Sequence, residues 1–173
     1  MGSVKNLVRS LLVILALMAA LVLVVPRVSS VGSPTVDVHP VAVDVAERTG
    51  WPVLEAVGLP KGWTGTSARY VRGTAGFSTW HAGYRTPDGT YVAVEQTMNP
   101  SKKWIEAQTN RAPRIGEVEA GGLTWVAYER DVKVQNSLLH TPANPATELT
   151  TLITGTASFD EMKAFAGYLK PAK

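Results

Sequence analysis

His81 and Glu95 are the pair in this chain whose types and spacing best suit chemistry. They fall on two alternating segments, residues 78–86 (STWHAGYRT) and 91–97 (YVAVEQT), joined by Pro87-Asp88-Gly89, whose glycine suits the positive φ of a hairpin loop. Pairing across that loop sets Tyr84 opposite Val92, Ala82 opposite Val94, Trp80 opposite Gln96, Arg85 opposite Tyr91 and His81 opposite Glu95. A carboxylate beside an imidazole could orient a general base, and a hydrolase using His81 and Glu95 is one reading. The plainer reading is a cross-strand charge pair contributing roughly a few tenths of a kcal/mol. Ser78 and Thr79 share the strand, but no oxyanion donor can be assigned beside them.

Lys102, Lys103, Arg111 and Arg114 form a small basic cluster around Trp104. It could rest on anionic headgroups or cell-wall polymer. Alternatively it is a solvated helix face whose tryptophan packs inward. His81, Glu95, Arg85, Tyr91 and Trp104 are therefore the candidate surface or pocket residues. The five tryptophans and five tyrosines read first as core, and some could line a pocket between sheet and helix.

Little else points to catalysis. The three histidines, His39, His81 and His140, fall in a stalk, a strand and a strand end. No H-E-x-x-H, G-x-S-x-G, P-loop or G-x-G-x-x-G pattern occurs. The chain has no cysteine, which excludes disulfides, thiolate metal sites, a cysteine nucleophile and the acylated cysteine of a lipoprotein. Gly2 is followed by Asn6 where a myristoylation signal needs Ser or Thr. No catalytic residue, cofactor or metal is expected.

The positive charge has a different purpose from nucleic-acid binding. Of the 17 Lys and Arg residues three lie in the first 30 positions, Lys5, Arg9 and Arg27, leaving 14 against 14 acidic residues in the remainder. The sequence pI near 9.3 thus reflects the flanks of an apolar run, and the rest of the chain is neutral. Residues 10–25 (SLLVILALMAALVLVV) carry no charge and span roughly 24 Å as a helix. A signal peptide would be cut near Ser29, Ser30 or Gly32. A membrane anchor would use Arg9 and Arg27 as snorkelling ends, so that residues 7–28 cover the bilayer. The anchor is preferred because the run exceeds a usual signal core and no A-x-A site follows. Either way, Lys5 and Arg9 place the N-terminus in the cytoplasm and the following chain outside.

Three regions follow: a tip and anchor at 1–28, a stalk with a possible short helix around 41–48 at 29–50, and one extracytoplasmic domain at 51–173. Within the domain, Leu59-Pro60-Lys61-Gly62-Trp63 opens a strand over 66–71. A helix over 101–109 precedes a second hairpin, 115–120 and 123–128 about Gly121-Gly122, in which Val118 faces Trp125 and Glu119 faces Thr124. Strands near 136–140 and 148–154 come next. Ser158-Phe159-Asp160-Glu161 is a capping box, and Phe159, Met162, Phe165, Ala166 and Leu169 form one stripe of a closing helix. The fold class is α+β: a transmembrane helix, then an antiparallel sheet of about five to seven strands covered by helices on one face.

Several segments together resemble an uncharacterised actinobacterial family of single-pass membrane-anchored envelope proteins, a domain of unknown function. They are Gly58-Leu59-Pro60-Lys61-Gly62-Trp63, Thr66-Ser67-Ala68-Arg69, the stretch from Thr79-Trp80-His81-Ala82-Gly83-Tyr84 to Pro87-Asp88-Gly89, Val92-Ala93-Val94-Glu95-Gln96, Gly121-Gly122-Leu123-Thr124-Trp125, Ser137-Leu138-Leu139 and Thr154-Gly155-Thr156-Ala157. The resemblance implies an anchor and one extracytoplasmic domain, and no activity. At the level of fold the chain also looks like photosystem extrinsic subunits with related mycobacterial lipoproteins, and like sensor domains of anti-sigma regulators. It lacks the lipobox of the former, and its nine-residue N-terminal tip is too short for the sigma-binding part of the latter. The expectation is a membrane-anchored binding or accessory module of the cell envelope, engaging an envelope complex or cell-wall component and no nucleic acid. A ligand-sensing domain with an apolar pocket is the alternative.

Overall fold

The computed structural model describes residues 2–24, 35–132 and 134–173, in two compact units, Met1–Ser33 and Pro34–Lys173. Arg27 and the possible cleavage positions Ser29, Ser30 and Gly32 lie outside the described residues. In the first unit, helix α1 (Gly2–Val24) runs 23 residues, about 34 Å, enough to cross a hydrocarbon core of about 30 Å. Its window Val4–Leu21 has a mean hydropathy of 1.9. Ser10 hides its hydroxyl by donating to the Leu7 carbonyl at 3.0 Å.

The second unit starts earlier than the expected boundary at residue 51. Helix α2 (Val38–Thr49) begins inside the expected stalk, where Asp37 accepts from the His39 N–H, and ends at Gly50 in the left-handed region. Pro40 is tolerated because it falls in the first turn. Val38, Ala42 and Val45 form a buried stripe, so this helix belongs to the domain core.

Seven antiparallel strands make the main sheet: β2 (Thr64–Arg72), β3 (Ser78–Arg85), β4 (Tyr91–Met98), β5 (Arg114–Ala120), β6 (Leu123–Arg130), β7 (Gln135–His140) and β8 (Leu149–Gly155). Their spatial order is β2-β3-β4-β8-β7-β6-β5. Two meanders therefore meet at β4 and β8. Helix α3 (Lys102–Gln108), capped by Ser101, carries the chain from the centre of the sheet to its far edge. The first hairpin has the register expected from its loop, with Thr86 and Thr90 closing the turn. The second pairs Val118 with Trp125 and Glu119 with Thr124 about Gly121 and Gly122, both at positive φ as a two-residue turn requires.

One face of the sheet carries Trp80, Ala82, Tyr84, Val92, Val94, Trp125, Leu138 and Ile153, all buried under α2 and the closing helix α4 (Phe159–Tyr168). The α4 capping box forms as expected between Ser158 and Glu161. Two three-residue strands were not anticipated: β1 (Leu54–Ala56) and β9 (Leu169–Pro171) pair with each other. Three polar side chains on this mainly apolar face bind the β1 backbone. Trp80 donates to the Leu54 carbonyl, the Leu54 N–H donates to Gln96 Oε1 at 2.6 Å, and the Ala56 N–H donates to Tyr84 Oη at 3.0 Å. Burial pushes the Tyr84 hydroxyl up to about 12, so it remains a neutral partner.

On the opposite face α3 covers part of the sheet through Trp104, which packs with Leu139 and Leu152 and donates from Nε1 to Thr79 Oγ1 at 3.3 Å.

Candidate functional site

Period-two alternation brings polar side chains from three neighbouring strands onto this second face. Ser67 and Arg69 come from β2, Thr79 and His81 from β3, and Tyr91 and Glu95 from β4. Ser67 lies opposite Gly83, Arg69 opposite His81, and His81 opposite Glu95. The His81–Glu95 pair is thus formed as expected, but it is not a solvent-exposed pair. His81 is 6% exposed and Glu95 9%, which removes most of the water that makes surface pairs weak.

His81 Nδ1–H donates to Glu95 Oε1 at 3.0 Å. A carboxylate can only accept, so a hydrogen sits on Nδ1, and in the neutral imidazole Nε2 is the acceptor. Two hydroxyls meet it there, Ser67 Oγ at 2.9 Å and Tyr91 Oη at 3.2 Å. Burial pushes the Tyr91 hydroxyl above its ordinary range, against a smaller opposing effect of the Ser67 hydrogen bond and the Arg69 charge, and keeps it a donor. Gly83 makes this convergence possible. A Cβ there would fall well inside contact distance of both Tyr91 Oη and Ser67 Oγ.

The other carboxylate oxygen, Glu95 Oε2, is buried with no partner among the described residues. Glu95 and Gln108 line two adjoining cavities. One, of about 150 Å³, is also bordered by Arg69, Thr74, Thr79 and His81. The other, of about 390 Å³, is bordered by Tyr91, Gln135 and Thr154. No group of three or more His, Asp or Glu side chains suited to a metal ion occurs among the described residues.

The remaining candidates separate. Trp104 belongs to the small core under α3, and Arg85 is exposed at the end of β3, opposite Tyr91 in register. The basic cluster is partly neutralised, Lys102 by Glu106 at 3.6 Å and Arg114 by Glu117. Lys102 and Arg111 border a third cavity, about 540 Å³, with Ile105, Ala112 and Tyr128. His140 Nδ1–H donates to the Thr124 carbonyl. His39, expected in a stalk, stands in the first turn of α2 and bonds Glu55 at 2.7 Å. That contact holds its imidazole above the ordinary value.

Sequence reasoning missed Ser67. Its strand was recognisable, but β2 reaches β3 through the 3-10 turn Thr74–Gly76 and a bulge between Gly65 and Ser67, so no tight turn fixed the register. The alternation of Ser67 with Arg69 was the available signal.

No curated protein and no solved structure matches the chain. A family model does, over residues 1–169. The chain belongs to the family described as protein of unknown function (DUF4245).

Proposed function

We propose that this protein is a membrane-anchored, extracytoplasmic binding module of the actinobacterial cell envelope, with its ligand seated against the polar face formed by β2, β3 and β4. The observation that carries this reading is Glu95 Oε2, a buried acceptor without a donor beside two cavities. Such a group costs about 1–3 kcal/mol unless something satisfies it, and a ligand N–H or O–H would. The rest is supported by Lys5 and Arg9 in the first turns of α1, ahead of its uncharged run, which favour a cytoplasmic N-terminus, and by the balanced charge of residues 31–173, which favours short-range recognition.

The bound species would be a cell-wall component or a segment of an envelope complex. The test is native mass spectrometry of the full chain extracted from its own membranes, with gentle crosslinking. A retained small molecule or a co-purifying envelope partner, lost or weakened in Glu95→Gln, is the expected result. A chain that emerges alone from both measurements overturns the proposal.

The third cavity favours a second reading. Its apolar walls, Ile105, Ala112 and Tyr128, with Arg111 and the Lys102–Glu106 pair at its border, suit an amphiphile whose acidic head meets Arg111, sensed between α3 and the sheet. Displacement of a retained lipid by Tyr128→Trp would support that site, and an unchanged ligand load would exclude it.

A further inference from the structure

We infer that Ser67 is an activated nucleophile, and that the Ser67–His81–Glu95 array performs acyl transfer on a small ester bearing an acidic group. The inference goes beyond ligand binding and does not depend on it.

Three hydrogen-bonded groups stand in the order that nucleophile activation needs. Glu95 fixes the imidazole tautomer through Nδ1, and Nε2 is 2.9 Å from Ser67 Oγ. The base and its orienting carboxylate are buried, while Ser67 is half-buried on the edge strand β2. The missing side chain of Gly83 is what lets Ser67 Oγ and Tyr91 Oη both converge on one nitrogen. Arg69, exposed on the same face and opposite His81, is placed to hold a carboxylate or phosphate of the substrate.

The step balances with water as the second reactant. As the Ser67 Oγ–carbonyl bond forms, the hydroxyl proton passes to His81 Nε2, which can then no longer accept from Tyr91, and the released Tyr91 Oη–H donates to the developing oxyanion. The ester C–O bond then breaks, and the leaving alcohol takes the proton from Nε2. Water adds to the acyl group, gives its proton to Nε2, and the Ser67 Oγ–carbon bond breaks with return of that proton. The titratable or charged groups around the array are Arg69 on β2, His81 and Arg85 on β3, and Tyr91 and Glu95 on β4; α3 contributes Gln108 and the 3-10 turn Thr74.

Because the chain has no cysteine, Ser67→Cys introduces a single thiol and tests the base without any knowledge of the substrate. In the full chain, iodoacetamide should alkylate Ser67→Cys at about pH 6 at least roughly tenfold faster than Thr64→Cys, an exposed position on the same strand, since a thiol beside an imidazole ionises early. Adding His81→Asn, or Glu95→Gln should the first not fold, should remove that advantage. A fluorophosphonate should modify wild-type Ser67 and not Ser67→Ala. An ordinary thiol profile centred near about pH 8.5, or no modification of Ser67 in the folded chain, overturns the inference. A retained ligand with an unreactive Ser67 would leave binding standing and remove the covalent step alone.

Discussion

Trp80 Nε1 donates to the carbonyl of Leu54 at 2.8 Å, across 26 positions of sequence and from the strand next to the sheet's edge to a strand lying over it. With Gln96 and Tyr84 it makes a row of polar side chains on an apolar face, each satisfied by the β1 backbone. An isolated three-residue strand has almost no ladder of its own, so β1 is held in place largely by side chains of the sheet. The same contacts solve the sheet's problem of burying an indole N–H, a phenol and an amide.

Replacing one member leaves its backbone partner buried and unpaired. Trp80→Phe should lower the unfolding free energy by about 1–3 kcal/mol beyond the loss of ring volume. Gln96→Leu should cost as much or more, because Gln96 also donates to Thr151 Oγ1. Urea denaturation followed by far-UV circular dichroism reads both, and a change under about 0.5 kcal/mol for either would show that water replaces the bond.

Two glycines differ sharply in what surrounds them. A Cβ at Gly155 would run into the Tyr91 backbone carbonyl, which cannot rotate away, so Gly155→Ala should cost more than about 3 kcal/mol or prevent folding. At Gly83 the obstacles are the movable tips of Tyr91 and Ser67, and Gly83→Ala should fold with a loss of about 1–3 kcal/mol. Its imidazole nitrogen shifts should change, because Ser67 and Tyr91 would be driven off Nε2. Nitrogen NMR of His81 compared with wild type gives the answer, and unaltered resonances would contradict the geometry.

The His39–Glu55 contact gives a stability that depends on pH. Hydrogen bonding to Glu55, then its charge, holds the imidazole above its unfolded value of 6.5. A raised folded pKa means that the stabilisation is complete below the unfolded value and disappears as pH rises through the folded one. The melting-temperature difference between wild type and His39→Ala should therefore be larger at about pH 5.5 than at about pH 8.5, and should shrink with added salt because His39 is exposed. A difference that grows with pH would reverse the sign of the argument.

Helix α1 should be sensitive to one central charge. Ile14→Arg places about 2.5–3.5 kcal/mol of insertion cost near the middle of Val4–Leu21 and should release the protein into the alkaline wash that leaves wild type with membranes. Orientation follows from single thiols: Thr64→Cys should react with an impermeant maleimide on intact cells, and Ser3→Cys only after permeabilisation. The opposite pattern would invert the proposed topology.

The two hairpins were legible in the sequence because a tight loop fixes register, and period-two alternation then assigns every side chain to a face. Hence the facing of His81 and Glu95, and of Val118 and Trp125, followed from Gly89 and from Gly121-Gly122 alone. The burial of His81 and Glu95 did not follow, since a polar strand face looks the same whether water or α3 lies over it. Nor did β1 and β9, because three residues hold too little alternation to register. The start of α2 was hidden by Pro40, which reads as a loop residue until Asp37 is seen capping the turn that contains it.

The β1–β9 ladder also has a mechanical meaning. Leu54 lies opposite Pro171, and beyond them the Ala172 N–H donates to the Val53 carbonyl at 2.9 Å, so residues 172 and 173 leave from the end of the ribbon where the chain arrives from the core helix α2. With α2 holding the start of β1 in the core, a pull on the C-terminal residues would load the β9 side of that ribbon one rung at a time, in the peeling direction. β9 would give way before the seven-stranded sheet bears force, while Trp80, Tyr84 and Gln96 keep β1 in place.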